Sequence, residues 1–209
     1  MALLALREAV EENVQGPVPL ADPRWLYGVQ IAAALIALIA LRRHYRELAD
    51  PPRSLGAVCA SIGVGLTVFA FWVLPMPTWL RMNTGIVHFV PLAANGQVRW
   101  DLVALRSFGA VFVVPVMEEL FWRSFLLRWI DRRDFLSLPP GMGSLVAIGL
   151  SSAVFALAHE LWMAGFLAGV SYAIVYRHFG KLWCAIIAHA STNLALAAWV
   201  VAGQHWSYW

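Results

Sequence analysis

The sequence predicts an all-α protein, a polytopic transmembrane bundle of about six spans with an N-terminal helix on the membrane surface. Three observations lead there. Of 209 residues, 61% are hydrophobic and only 13% charged, with a mean hydropathy of +0.68. A soluble domain carries roughly 25% charge, so this chain lacks the polar groups to cover a globular surface. Long uncharged runs recur, and Lys and Arg collect in short segments between alternate runs. A helix needs roughly 20 mostly apolar residues to cross about 30 Å of hydrocarbon. The same composition excludes disorder, a collagen-like repeat and a disulfide scaffold.

Residues 1–24 read as an interfacial helix and linker. Leu3, Leu6, Val10 and Val14 recur at helical spacing with Arg7, Glu8, Glu11 and Glu12 elsewhere on the wheel, the pattern of a helix lying in the interface. Pro17, Pro19 and Pro23 mark the linker. Residues 25–101 hold the runs Trp25–Leu41 and Ser54–Leu80 and then the longest extramembrane loop, 76–101. Residues 102–203 form the core: one long helix from about Leu102 to Ile130, then runs at Phe135–His159, Leu161–Tyr176 and Leu182–Trp209, with 204–209 as a tail. Leu161–Tyr176 is short for a full crossing.

Orientation follows the positive-inside rule. Arg42, Arg43, Arg46 and Arg53, then Arg128, Arg132 and Arg133, then Arg177 and Lys181 fall on one side under alternating topology, which is assigned to the cytoplasm. Trp25, Trp79, Trp100, Trp162, Trp206 and Trp209 form an aromatic belt at the opposite interface. The net charge of +3 reflects this topology; the scattered cations make no basic face for nucleic acid. Cys59 and Cys184 lie in apolar stretches and read as small hydrophobes.

Charge inside a span demands a reason. Glu118, Glu119 and Arg123 interrupt the long third helix, and each costs roughly 2.5–3.5 kcal/mol near a bilayer centre if unpaired. The apolar pattern continues through Ile130, which argues against a helix that merely ends at the interface. Glu119 and Arg123, four apart, permit an ion pair on one face. Glu118 lies about 100° around the wheel without that partner. Pro115 is expected to loosen the helix just before the pair. His159 ends the next run, and His189 and Asn193 share one face of the last. A lone buried histidine usually reads as a hydrogen-bonded core residue. Three helices each carrying a buried polar cluster are satisfied at least cost by meeting. At 1.5 Å per residue, Glu118 lies about 21 Å along its helix from Arg132, His159 about 21 Å from Leu145 and His189 about 12 Å from Lys181. These depths allow a shared intramembrane site, expected to be reached from the basic-loop side.

Glu, two His and Asn without an adjacent nucleophile suit activation of water against a carbonyl. Glu118, helped by His159, would take the proton; His189 and Asn193 would donate to the oxyanion. The same residues leave a zinc site of Glu118, His159 and His189 open as an alternative, although His159-Glu160 is not followed by the spacing of an HExxH motif. Ser151, Ser152 and Ser191 stay open as candidate nucleophiles, although small hydroxyl residues commonly pack helices together, and Gly165 and Gly169 read as a close helix contact. Two non-hydrolytic readings use the same cluster, a membrane scaffold or partner-binding protein and a proton-coupled carrier; no inverted repeat supports the carrier.

Glu118-Glu119-Leu-Phe-Trp-Arg123, Phe155-Ala-Leu-Ala-His159 and His189-Ala-Ser-Thr-Asn193 resemble, in order and spacing, the EExxxR, FxxxH and HxxxN motifs of the CAAX protease and bacteriocin-processing (Abi) family of glutamic intramembrane endopeptidases. The resemblance covers about Leu102 to Ala202. The whole chain also resembles the short bacterial CAAX prenyl protease-related proteins associated with exosortase systems. The resemblance implies an intramembrane endopeptidase of the bacterial inner membrane acting on a membrane-associated or lipid-modified protein. It implies Glu118 and His159 as the water-activating pair, His189 and Asn193 as the oxyanion site, and no metal or other cofactor. Glu119, Arg123 and Phe155 take supporting roles, the first two as a structural pair and the third shaping the pocket.

Overall fold

The structure is a computed structural model that describes residues 22–82 and 88–209. The expected surface helix and most of its linker, residues 1–21, lie outside the described residues. Six helices follow in order: α1 (Trp25–Ala40), α2 (Leu55–Trp72), α3 (Trp100–Asp131), α4 (Leu145–Leu157), α5 (Trp162–Phe179) and α6 (Leu182–Gly203). The architecture is the expected all-α bundle. Among the described residues the only β pairing is an isolated bridge between Leu92 and Val98.

The helices α2, α3 and α6 are long and apolar enough to cross a membrane. The others are shorter or less apolar, and their boundaries differ from the uncharged runs for local reasons. α2 stops at Trp72 because Pro75 and Pro77 follow. The run from Phe135 opens with only a single 3-10 turn, Phe135–Ser137, before Pro139-Pro140-Gly141 breaks it, with Gly141 at φ 79°. α4 starts only at Leu145, where the Ser144 hydroxyl accepts from the Ala147 N–H at 3.0 Å. Asp131 in turn accepts from the backbone N–H and hydroxyl of Ser144, both at 2.6 Å. α4 is therefore 13 residues, about 20 Å at 1.5 Å per residue. α6 ends at Gly203, with Gln204 in a left-handed conformation, and the tail folds back.

α3 is continuous over 32 residues but not uniform. Two π-helical stretches, Gly109–Val113 and Leu120–Leu127, bracket the α-helical Val114–Glu119. The first precedes Pro115, whose ring would clash with the carbonyl four residues back in a regular helix. The wider turn accommodates it without a break.

Packing is tightest where side chains vanish. α2 crosses α6 with Gly65 against the Ala188 carbonyl and Ser191, and a Cβ at Gly169 of α5 would stand 2.9 Å from Ser152 Cβ of α4. Around these crossings Phe155, Tyr172, Tyr176, Leu182, Ala185 and Ala188 form the main core. A second cluster at the other end joins Phe89, Leu102, Val200, Trp206 and Trp209. There the Phe89 N–H donates to the Trp209 carbonyl at 2.9 Å, and Arg24 donates to the carbonyls of Val90 and Leu92 at 2.8 and 2.7 Å. Trp206 and Trp209 are thus core residues, whereas Trp25, Trp79 and Trp100 are exposed as an interfacial belt requires. Leu55 and Leu145 are both 77% exposed on helix faces that suit lipid. At the basic-loop end, Glu47 accepts from Ser124, Arg128 and Tyr176 at 2.6, 2.8 and 2.6 Å, tying the 42–53 segment to α3 and α5.

Candidate active site

Glu119 and Arg123 occupy one face of α3, 0% and 2% exposed. Their ion pair forms, Arg123 Nε to Glu119 Oε2 at 3.1 Å, as a charge contact whose angle does not make an aligned hydrogen bond. Arg123 Nη2 donates to the Gly169 carbonyl of α5 at 3.0 Å. The guanidinium also lies over the rings of Phe155 and Tyr172, at 5.1 and 5.6 Å. Gly169 therefore permits two close approaches, by α4 and by the arginine.

The other carboxylate oxygen turns to α6. Glu119 Oε1 is 2.8 Å from His189 Nδ1. A carboxylate accepts, so Nδ1 carries hydrogen and Nε2 is the nitrogen left for chemistry. Tyr172 stacks on the His189 ring at 5.0 Å and 18°, and its hydroxyl donates to Thr192 Oγ1 at 2.7 Å. The imidazole is thus fixed by a hydrogen bond at its edge and a ring on its face.

His159 sits in the turn after α4. Its Nδ1 is 2.7 Å from the Phe155 carbonyl, which can only accept. The neutral imidazole consequently keeps its lone pair on Nε2. Trp72 meets this ring edge-on at 5.5 Å, and Phe155 lies between the histidines, 4.4 Å from the His159 centroid and 6.2 Å from that of His189.

Asn193, one turn beyond His189, donates from Nδ2 to the Ala110 carbonyl at 2.7 Å. Ala110 lies in the first π stretch, where a carbonyl shifted out of the regular ladder is open to a side-chain donor. One amide hydrogen of Asn193 remains.

Glu118, His159, His189 and Asn193 line one cavity of about 300 Å³, together with Phe155 and Tyr172. Glu119 and Arg123 stand behind its wall. Sequence reasoning brought these residues to one place but missed the Glu119–His189 bond, because i,i+4 spacing reveals only partners on the same helix. It also missed Tyr172, Trp72, Tyr27 and Arg106, which line the cavity without any motif. The cavity adjoins a second one of about 210 Å³ that shares Trp72, Arg106, His159, Tyr208 and Trp209 and is completed by Arg81, His88, Glu160 and Ser207. All of these lie at the end opposite the basic loops, because the α4–α5 turn and the C-terminal tail are there.

Among the described residues, no group of three or more His, Cys, Asp and Glu side chains is placed to hold a metal ion. Glu118, His159 and His189 share the cavity wall.

Residues 100–195, just under half of the chain, match the family described as type II CAAX prenyl endopeptidase Rce1-like. The matched segment contains all three motifs and supports the CAAX protease and Abi resemblance. No curated protein and no solved structure gives a match. The three apolar spans and the match fit an integral membrane protein, one segment of which is similar to the type II CAAX prenyl endopeptidases.

Proposed function

From a segment of the CAAX endopeptidase kind built around a polar intramembrane cavity, we propose that this protein hydrolyses a peptide bond of a membrane-associated or lipid-modified protein without a metal. The observation that carries the reading is the convergence of Glu118, His159, His189 and Asn193 on one cavity. Water lies between Glu118 and His159 Nε2. Glu118 removes its proton as the oxygen attacks the peptide carbon, and the carbonyl electron pair moves to oxygen. The oxyanion accepts from the free amide hydrogen of Asn193 and from His189 Nε2. Since Nδ1 already carries a hydrogen toward Glu119, Nε2 donates only in the imidazolium form. Glu119, held between Arg123 and His189, offsets that charge. When the intermediate collapses, the C–N bond breaks and the protonated Glu118 delivers its proton to the leaving amine.

The test compares membrane proteomes of cells carrying the wild-type chain and the Glu118→Ala variant. An uncut precursor accumulating with Glu118→Ala supports the reading. Identical proteomes, with both proteins folded and expressed, overturn it.

A further inference from the structure

The cavity is closed at one end and open toward the other. Behind its wall, toward the basic loops, lie the buried Glu119 and Arg123, then Tyr176, Leu127 and Leu182, none more than 2% exposed. Below these, Glu47 seals the end through Ser124, Arg128 and Tyr176. Toward the other end the adjoining cavity leads out between Arg81 and His88, the α4–α5 turn and the tail. Charge assigns the two faces. Arg42, Arg43, Arg46 and Arg53, Arg132 and Arg133, and Arg177 and Lys181 all lie at the sealed end. The described cations of the open end are Arg24, Arg81, Arg99 and Arg106. Lys and Arg in short loops mark the cytoplasmic side.

We propose that the cavity is reached from the non-cytoplasmic face of the membrane, through the vestibule between Arg81, His88, Ser207 and Tyr208, so that its substrates are protein segments exposed on that face. The proposal rests on the hydrolytic reading for the word substrate, but the side of access is independent of it. A segment offered only on the cytoplasmic side meets the Glu47 seal. A segment that has crossed, or one still anchored in the outer leaflet, reaches Glu118 and His159 without disturbing the core.

Single cysteines test the side. Ser207 lines the vestibule, Asn95 is exposed in the loop at the same end, and Ser137 is exposed among the basic loops. Cys59 sits on a lipid-suited face and Cys184 is buried, so the unsubstituted chain is the control. In right-side-out membrane vesicles, a membrane-impermeant maleimide is expected to label Ser207→Cys and Asn95→Cys at least tenfold more than Ser137→Cys, with the order reversed in inside-out vesicles. Preferential labelling of Ser137→Cys in right-side-out vesicles, or equal labelling of all three, overturns the proposal. Because labelling needs no hydrolysis, the same pattern in a Glu118→Ala background separates access from activity. Among precursors that accumulate with Glu118→Ala, uncut sites within the membrane or on its non-cytoplasmic flank support the proposal. Sites on the cytoplasmic flank overturn it while leaving the hydrolytic reading intact.

Discussion

Glu119 Oε1 and His189 Nδ1 are 2.8 Å apart, joining α3 to α6 through a carboxylate that also faces Arg123. The carboxylate stands between two groups able to carry positive charge. Removing it leaves a buried guanidinium without its counter-charge, which typically costs about 3–5 kcal/mol. Glu119→Ala is therefore expected to unfold well below the wild type in a detergent thermal melt. Glu119→Gln keeps an acceptor oxygen for Nδ1 and is expected to melt between the two.

Glu118 behaves differently, because it is half-buried on the cavity wall and stands outside the Arg123–Glu119–His189 cluster. Glu118→Gln is expected to lower cleavage of an identified precursor about 10²–10⁴-fold, the usual contribution of a general base, with a melting temperature within a degree or two of wild type. His159→Ala is expected to lose cleavage similarly. A large stability loss in Glu118→Gln with cleavage retained would instead mark the residue as part of the scaffold.

Much of this was legible from residue spacing. Three motifs on three spans imply a meeting point, because ionisable side chains in a bilayer must find partners, and the small residues at 165 and 169 announce a close crossing. The register of the spans was less legible. Phe135–Leu138 is as apolar as a helix start, and only Pro139-Pro140-Gly141 shows that the helix waits until Leu145. The direction of opening was not legible at all. Depth counted along each helix treats Glu118 and His159 as equally distant from the basic side, whereas the answer depends on where Tyr176, Leu182 and Glu47 plug the bundle.

The vestibule end has its own electrostatic anchor. Asp22 accepts from Arg24 Nε at 2.8 Å, and Arg99 approaches it at 3.6 Å. The Arg24 hydrogen bond, the largest influence, holds the Asp22 carboxyl below its ordinary value of 3.8. A depressed folded value means that the stabilisation is present above the unfolded value and is lost as pH falls through the folded one. Asp22→Asn is thus expected to melt slightly lower at pH 7, by no more than about 1 kcal/mol for a partly solvated pair. The two melting curves should converge on acidification below the folded value. A difference that persists there would assign the effect to packing.

Asn193 links the π stretch of α3 to the proposed oxyanion position, and this makes its substitution informative about both. Asn193→Ala removes the donor to the Ala110 carbonyl and the proposed donor to the oxyanion. Loss of one oxyanion donor typically costs about 10²–10³ in kcat, and loss of one neutral hydrogen bond about 1 kcal/mol of stability. Asn193→Asp separates the two roles. An ionised aspartate has no hydrogen to give, so it places an acceptor against an acceptor at Ala110 and a negative charge against the developing oxyanion. It is expected to be at least as inactive as Asn193→Ala and less stable. Single-turnover cleavage of an identified precursor, paired with detergent melts of the same preparations, checks both. If Asn193→Ala keeps full kcat while losing stability, the residue only fastens α6 to the π turn, and the oxyanion must be held by His189 alone.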